Sequence, residues 1–566
     1  MKIRSGGNIS GSKPPMTGNA TGPVPMEKSG AGEGNGKIGR AFLIIAAILT
    51  VYSALFIYRT TFVIDGTRYF CLFDDEMICM RYARNLADGA GLVWNAGGEK
   101  VEGFTNPLWT LAMAAFHLLP LPDSKMSICV QILGLVFLLG TVYFTGRAAL
   151  IVGRGSTLLA VSAMVMLAGY YPFVNWCLQG TEVSALAMAI TAALWLSLSD
   201  RERGTRSVWP YVILGAATWL RPDAVVPYAV VWACLFVVDR TNRRFHLACG
   251  SAAIFIALAL QTGIRYFYYG DILPNTYYLK LTGFPLVERI ARGASVLGNF
   301  LPWPLFFILL VGMSWSVIRR NGINLLPLFL FGTQLVYSVY VGGDAWEWWG
   351  GTNRYMAITA PALFIWLVCF LRFSLLAGWR NLDGRKRGIF IFAIGLFIGI
   401  FNLPLKSGMF AAWSLEALPP SAIDNYGQML MATRINQVTA LDARIAVIWA
   451  GTVPYFTRRP AIDILGKCDR EIAKQPAFPG LEFFPGHNKW NYYRSFGLLD
   501  PDVITQMWHR PELARPFLAG RFQVVRLLTV YPLGSIDVYL RLDSPRVKWD
   551  FLKQQGYVRQ APGGSR

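Results

Sequence analysis

Long apolar runs separated by short polar stretches fill residues 41–404, and their length predicts membrane-crossing helices. The first run is 41–58, followed by 128–146, 156–174 and 182–199. Residues 208–220 and 224–238 read as a short hairpin whose tip is Arg221-Pro222-Asp223, and 245–264, 300–318, 323–341, 355–377 and 388–404 complete the series. Residues 107–119 fall short of the roughly 20 residues a span needs and predict an interfacial or re-entrant helix. Hydrophobic density then falls, and 405–566 reads as a soluble α/β domain, with strands expected at Ala443–Ala450 and Ala461–Leu465. Residues 1–36 are rich in Gly, Ser, Pro and Asn and are expected to be a disordered tail.

Basic residues give this series a direction. Lys37 and Arg40 precede the first run and place the N-terminus in the cytoplasm. If 107–119 does not cross, the clusters around Arg147, Arg201, Arg240, Arg319 and Arg385 all fall on the cytoplasmic side. The expectation is therefore a polytopic α-helical protein with eleven spans across residues 37–404, a first outer loop at 59–127, and an extracytoplasmic C-terminal domain. In a bacterium this means the inner membrane. The same topology puts Asp74, Asp75, Glu102, Glu182, Asp223, Asp271, Asp344, Glu347 and Arg354 at span ends on the outer face, where they predict one polar cavity.

Composition agrees: 54% of residues are hydrophobic and only 15% charged, against about 25% charged in soluble proteins. The net charge of +20 does not point to nucleic acid, because no basic run is interleaved with aromatic residues. The eight cysteines show no paired motif for zinc or redox chemistry. Cys71 and Cys79 share the first outer loop, and a disulfide between them is an open alternative to two thiols.

The chemistry concentrates between Phe73 and Trp109. Asp74 and Asp75 are adjacent acids, and mutual repulsion can raise the pKa of one and suit it to accept a proton. The competing reading is helix capping, since an apparent helix opens at Asp75-Glu76 and runs to about Ala87. Arg81 and Arg84 on that helix could grip a phosphate or pair with nearby acids. Arg221 and Asp223 form either a structural lock or part of a site. The Tyr268–Lys280 segment, with Asp271, Asn275 and Lys280, suits carbohydrate as well as membrane anchoring. Gly342–Arg354, with Asp344, Trp346 and Arg354, reads as a substrate rim, and Pro485–Asn491, with His487, as a loop touching an acceptor. No Walker loop, Gly-x-Gly-x-x-Gly or His-Glu-x-x-His accompanies these segments, so an activated sugar delivered through the membrane fits better than a nucleotide sugar.

These residues resemble a known family. Asp74-Asp75, Arg81-Tyr82-Ala83-Arg84-Asn85-Leu86, Gly91-Leu92-Val93-Trp94-Asn95, the Val101–Trp109 run with Glu102 and Asn106, Arg221-Pro222-Asp223, Gly270-Asp271, Pro274-Asn275-Thr276, Gly343-Asp344 and the Trp449–Leu465 segment are similar to the GT-C integral membrane glycosyltransferases, and most of all to the terminal β-arabinofuranosyltransferases of actinobacterial cell walls. The resemblance implies inverting transfer from a polyprenyl-phosphate sugar to a cell-envelope glycan at the outer face. Asp74 would be the general base, Asp75 would assist, and Arg81, Arg221 or Arg354 would hold the donor phosphate. In the actinobacterial members the donor is decaprenyl-phosphoryl-arabinofuranose; no residue here is tied to arabinose, and a divalent cation is left open. The competing expectations are a GT-C transferase acting on protein or lipid A, a lipid-linked sugar transporter, and a non-catalytic glycan-binding membrane protein. A transporter would show inverted repeats and midplane charges, neither of which the sequence offers.

Overall fold

The computed structural model describes residues 30–300, 310–314, 325–347, 353–375, 383–402, 409–530 and 534–557. Four helices in it are long and apolar enough to cross a membrane, within Gly36–Arg59, Asp123–Val152, Val183–Arg203 and Arg240–Tyr269. The 156–174 run is not one straight span. It is α5 (Thr157–Ala168) followed by α6 (Tyr171–Leu178), bent by 58°. Gly169 and Pro172 break the ladder there. Asn402 then takes up the freed backbone groups, accepting from Tyr171 N at 2.8 Å and donating to Gly169 O at 2.6 Å.

Three further apolar helices, Pro222–Val238, Leu326–Val341 and Ala360–Phe373, are shorter. Trp209–Ala217 has only nine helical residues, about 14 Å of rise against a hydrocarbon core of about 30 Å. Most of the 300–318 run lies outside the described residues, as do residues 1–29 of the expected tail. Residues 30–36 of that tail are already helical, because the first helix (Gly30–Arg59) extends backward from its apolar core. The 107–119 run forms only the short helix α3 (Pro107–His117), as its length predicts.

Between the first and second long helices lies the loop that carries α2 (Asp74–Ala87). Despite five charged residues, α2 is mostly buried, Asp74, Glu76, Arg81 and Arg84 included. It is held from three directions. Phe73 N donates to Gln179 O at 3.0 Å beyond the end of α6, Asn425 Nδ2 donates to Leu72 O at 2.7 Å, and α3 packs along its side. Cys71 and Cys79 are both free thiols, so the disulfide alternative falls. Cys79 faces α3 and donates to Asn106 Oδ1 at 3.2 Å, while Cys71 points to Thr452 in the C-terminal region.

That region opens with Met409–Trp413 and the helix Pro420–Val438. Its sheet has the order β4-β3-β5-β7-β6, with strands Ala461–Asp463, Ile445–Val447, Val503–Ile504, Gly534–Arg541 and Phe522–Val530. The β3 strand pairs parallel with β4 and β5, whereas β7 runs antiparallel to β5 and β6. Both strands expected from the sequence are present, in shorter form. This cap sits on the loop helix: Arg81 donates to Trp94 O, Pro454 O and Arg459 O, and Thr452 N donates to Asp74 Oδ1 at 2.7 Å.

Candidate active site

The loop, the membrane helices and the cap meet around a cavity of about 220 Å³. Asp75 faces it. The turn that starts α2 points Asp75 inward, with one oxygen 2.7 Å from Lys467 Nζ of the cap and the other 3.2 Å from Arg354 Nη1. Trp346 Nε1 donates to that second oxygen at 3.0 Å. Burial alone would raise the Asp75 pKa, but Lys467, Arg354 and Lys280 outweigh it and hold the carboxyl well below the usual carboxylate range. Asp75 is therefore an ionised group with three cations around it.

Each cation is held in place. Arg354 forms a fork with Asp344, Nε to Oδ2 at 2.8 Å and Nη2 to Oδ1 at 3.1 Å. Asp344, beside burial that opposes it, is kept below its usual range by this arginine. Lys467 rides on the tight turn after β4, where Asp463 accepts from Leu465 N, Gly466 N and Cys468 N. Asn275 clamps the same turn by donating to the carbonyls of Gly466 and Lys467, both at 2.9 Å. Lys280, on the helix Asn275–Leu281, lines the cavity; burial pulls its pKa down to about 8, against the pull of Asp75.

The other end of the cavity gathers Glu76, Glu182, Asp223 and Arg221 around one side-chain amide. Asn106 Nδ2 donates to Glu76 Oε2 at 3.3 Å and to Glu182 Oε2 at 3.2 Å. Arg221 lies 3.5 Å from Glu182 and closes a bidentate pair with Asp223, both bonds at 2.9 Å. Arg221 and Asp223 thus form a lock and also line the cavity. Burial, and then the proximity of Glu182, push the Glu76 pKa well above its usual value.

Of the expected site residues, Asn275 and Asp344 stand behind the cations without lining the cavity, and five more sit elsewhere. Asp74 turns away from the cavity: Oδ1 takes the Thr452 amide, Oδ2 is buried without a hydrogen-bond partner among the described residues, and Gly451 packs against it where a Cβ would be 2.0 Å from Asp74 O. Arg81 spends its guanidinium on carbonyls and on Asn95 Oδ1 and does not line the cavity. Glu102 pairs with Arg265, and Asp271 pairs with Lys474 and Arg470; both pairs fasten elements around the site. His487 is buried behind the wall, edge-on to Trp346, and burial followed by Lys467 lowers its pKa to about 3.

Lys467 and Glu76 carry more of the site than the sequence reading gave them. Lys467 follows two residues after the Trp449–Leu465 segment, in a turn whose only sequence sign is Asp463 before Gly466. Glu76 was masked by its place in the acidic first turn of a helix. No group of three or more His, Cys, Asp or Glu with metal-binding geometry occurs among the described residues.

Over 273 residues the chain is 28% identical to the terminal β-(1→2)-arabinofuranosyltransferase of Mycobacterium tuberculosis, covering 45% of this chain and 42% of that protein. The Corynebacterium glutamicum protein of the same name is 26% identical over 313 residues, with coverages of 48% and 44%. The chain thus matches less than half the length of each. Among solved structures, ArnT from Cupriavidus metallidurans bound to undecaprenyl phosphate superposes with a TM-score of 0.54 at 14% identity, covering 89% of this chain and 98% of ArnT. The fold is of the GT-C type. The Archaeoglobus fulgidus oligosaccharyltransferase superposes at 0.51 and 12% identity, over 75% of this chain and 62% of that one. A family described only as a domain of unknown function, DUF8728, matches residues 421–531 of the cap. The chain is therefore a polytopic membrane protein of GT-C fold, similar over part of its length to terminal arabinofuranosyltransferases.

Proposed function

We propose that this protein is an inverting membrane glycosyltransferase that moves a sugar, arabinofuranose by the names of its relatives, from a polyprenyl-phosphate donor to a cell-envelope glycan acceptor at the outer face of the bacterial inner membrane. The observation that carries this reading is Asp75, an ionised carboxylate facing the cavity and ringed by Lys467, Arg354 and Lys280. A base and a set of cations within one cavity are what attack by a hydroxyl and departure of a phosphate require. The ArnT complex with undecaprenyl phosphate shares the fold and supports a lipid-linked donor.

In the proposed reaction the acceptor hydroxyl oxygen attacks the anomeric carbon from the face opposite the phosphate. Its proton passes to a carboxylate as the anomeric C–O bond breaks, and the electron pair leaves with the polyprenyl phosphate. Asp75, and not its neighbour Asp74, takes the proton, because only Asp75 faces the cavity. A carboxylate held by three cations is a weak base. The donor phosphate competes for those cations, Lys467 and Lys280 above all, and so raises the basicity of Asp75 only when a donor is present. Asp74 keeps a supporting role, fastening the cap to the loop through Thr452.

Purified protein given a radiolabelled decaprenyl-phosphoryl-arabinofuranose and an arabinan acceptor tests the reading. Labelled arabinan with release of decaprenyl phosphate is expected. No transfer from this lipid or from a panel of other polyprenyl-phosphate sugars would overturn it.

A further inference from the structure

Two of the cations that act on Asp75 are lysines on segments far apart in the chain. Lys280 sits on the helix Asn275–Leu281, and Lys467 on the turn after β4. We infer that Lys489 is a positioning residue: it fixes the distance between Lys280 and Lys467 by gripping, from behind, the segments that carry them. This rests on the polyprenyl-phosphate reading above, because a phosphate shared by the two lysines is what a fixed spacing serves.

The first observation is where the Lys489 ammonium goes. The residue is 1% exposed and does not line the cavity. Its Nζ donates to Tyr278 O at 2.9 Å, to Thr282 Oγ1 at 3.2 Å and to Ala473 O at 2.9 Å. Three donors meet three acceptors, so the group is fully used. Tyr278 and Thr282 lie two residues to either side of Lys280. Ala473 lies on the helix Arg470–Lys474, which follows closely on the Lys467 turn. One atom therefore holds both lysine-bearing segments.

The second observation is a clasp at the opposite end of the same helix. Asn275 Nδ2 donates to Gly466 O and Lys467 O, both at 2.9 Å, and to Asp469 O at 3.3 Å. Asn275 thus fastens the Lys467 side, and Lys489 the Lys280 side. A single clasp leaves two segments free to pivot about it, and a second one removes that freedom.

The third observation is what the arrangement costs. Among the described residues Lys489 pairs with neutral oxygens and no carboxylate, and burial lowers its pKa to about 8. A buried charge without a counter-ion is expensive. A methionine would fill nearly the same space without that expense, so the lysine contributes directed bonds rather than packing. Such precision matters in a phosphate site, where a misplacement of about 1 Å can cost a factor of about 100.

Binding of decaprenyl phosphate and of decaprenol, the same lipid without its phosphate, to the full-length protein in nanodiscs tests the inference. The readout is the ratio of the two affinities, expected in wild type to favour the phosphate by at least about 100-fold. Lys489→Met is expected to lower that ratio about tenfold with decaprenol binding within about twofold of wild type, whereas a merely structural role would weaken both lipids together. In a Lys280→Ala background the same substitution is expected to cost less than about threefold, because a residue that acts through Lys280 then has nothing left to place. Thr282→Val, which removes one acceptor, is expected to lower the ratio about threefold, and it decides the matter if Lys489→Met binds neither lipid. An unchanged ratio, or an undiminished loss in the Lys280→Ala background, overturns the positioning role and leaves the donor reading standing. Equal binding of both lipids by wild type overturns the donor reading, and the inference falls with it.

Discussion

The loop between the first two long helices and the cap contribute to one cavity by opposite means. The loop supplies carboxylates from the start of a helix, where Asp74, Asp75 and Glu76 follow one another and the helix geometry sends each in a different direction. One fastens the cap, one faces the cations, and one meets Glu182 across the Asn106 amide. The cap supplies a single cation, Lys467, on a turn after a short parallel strand. Adjacent residues end in separate environments, while Asp75 and Lys467, 392 positions apart, end 2.7 Å apart. Sequence proximity marks where the acids are, and only the fold tells which acid has a partner.

Breaking the cap side of this pair should cost the most after loss of Asp75 itself. Lys467→Ala removes a charge-assisted contact to Asp75 and, in the proposed reaction, one to the leaving phosphate. A fall in kcat/KM of about 100-fold is expected, from roughly 1.5–3 kcal/mol per charged hydrogen bond. Lys467→Arg, measured in the same transfer assay, should recover part of it.

Detaching the cap without touching the cavity sharpens the contrast. Arg81 is buried at the junction and satisfies carbonyls of both regions, so Arg81→Ala leaves several acceptors without partners. Destabilisation of about 2–4 kcal/mol is expected. Limited proteolysis between the membrane domain and the cap should then run faster than in wild type. Arg81→Lys should not rescue it, because an ammonium cannot replace the planar fork.

The cationic wall should also leave a mark on the pH profile. The Lys280 pKa is lowered to about 8, so its charge is present below that value and is lost as pH rises through it. The kcat/KM for the donor, which reports the free enzyme, should therefore decline above about pH 8. Lys280→Arg keeps the charge and should flatten that limb. A limb unchanged in the variant would detach Lys280 from donor binding.

The smallest effect belongs to a pair that holds elements together outside the cavity. Asp271 joins Lys474 and Arg470 near the surface, where exposed ion pairs contribute about 0–1 kcal/mol. Asp271→Asn should change the transfer rate less than threefold, as read in the same assay as Lys467→Ala.

Much of this arrangement is legible in the sequence, for reasons that differ from residue to residue. The long apolar runs announce membrane helices because a bilayer imposes length and composition on each one separately. The bend at Gly169–Pro172 is legible only afterwards, since its remedy, Asn402, lies on another helix. The acidic pair stands out because a loop seldom needs two adjacent acids. Which of the two faces the cavity depends on Thr452, from a strand-to-helix turn of the cap, and no local pattern carries that. Arg81 looked like a phosphate ligand because arginine is one wherever oxygen anions are found, yet here its oxygen partners are backbone carbonyls and an Asn side chain. Arg354 has the same chemistry and the opposite use, because Asp344 and Asp75 meet it at the cavity wall.

The central claim is that Asp75, and not Asp74, accepts the proton of the attacking hydroxyl. The measurement that tests it most directly is sugar transfer by Asp75→Asn and Asp74→Asn at equal expression, with bound decaprenyl phosphate as the check on folding. Loss of about 1,000-fold or more in Asp75→Asn, with Asp74→Asn within about tenfold of wild type, is expected from removal of a general base as against a supporting contact. The reverse order, with Asp74→Asn inactive and Asp75→Asn near wild type, would contradict the account and return the base to Asp74.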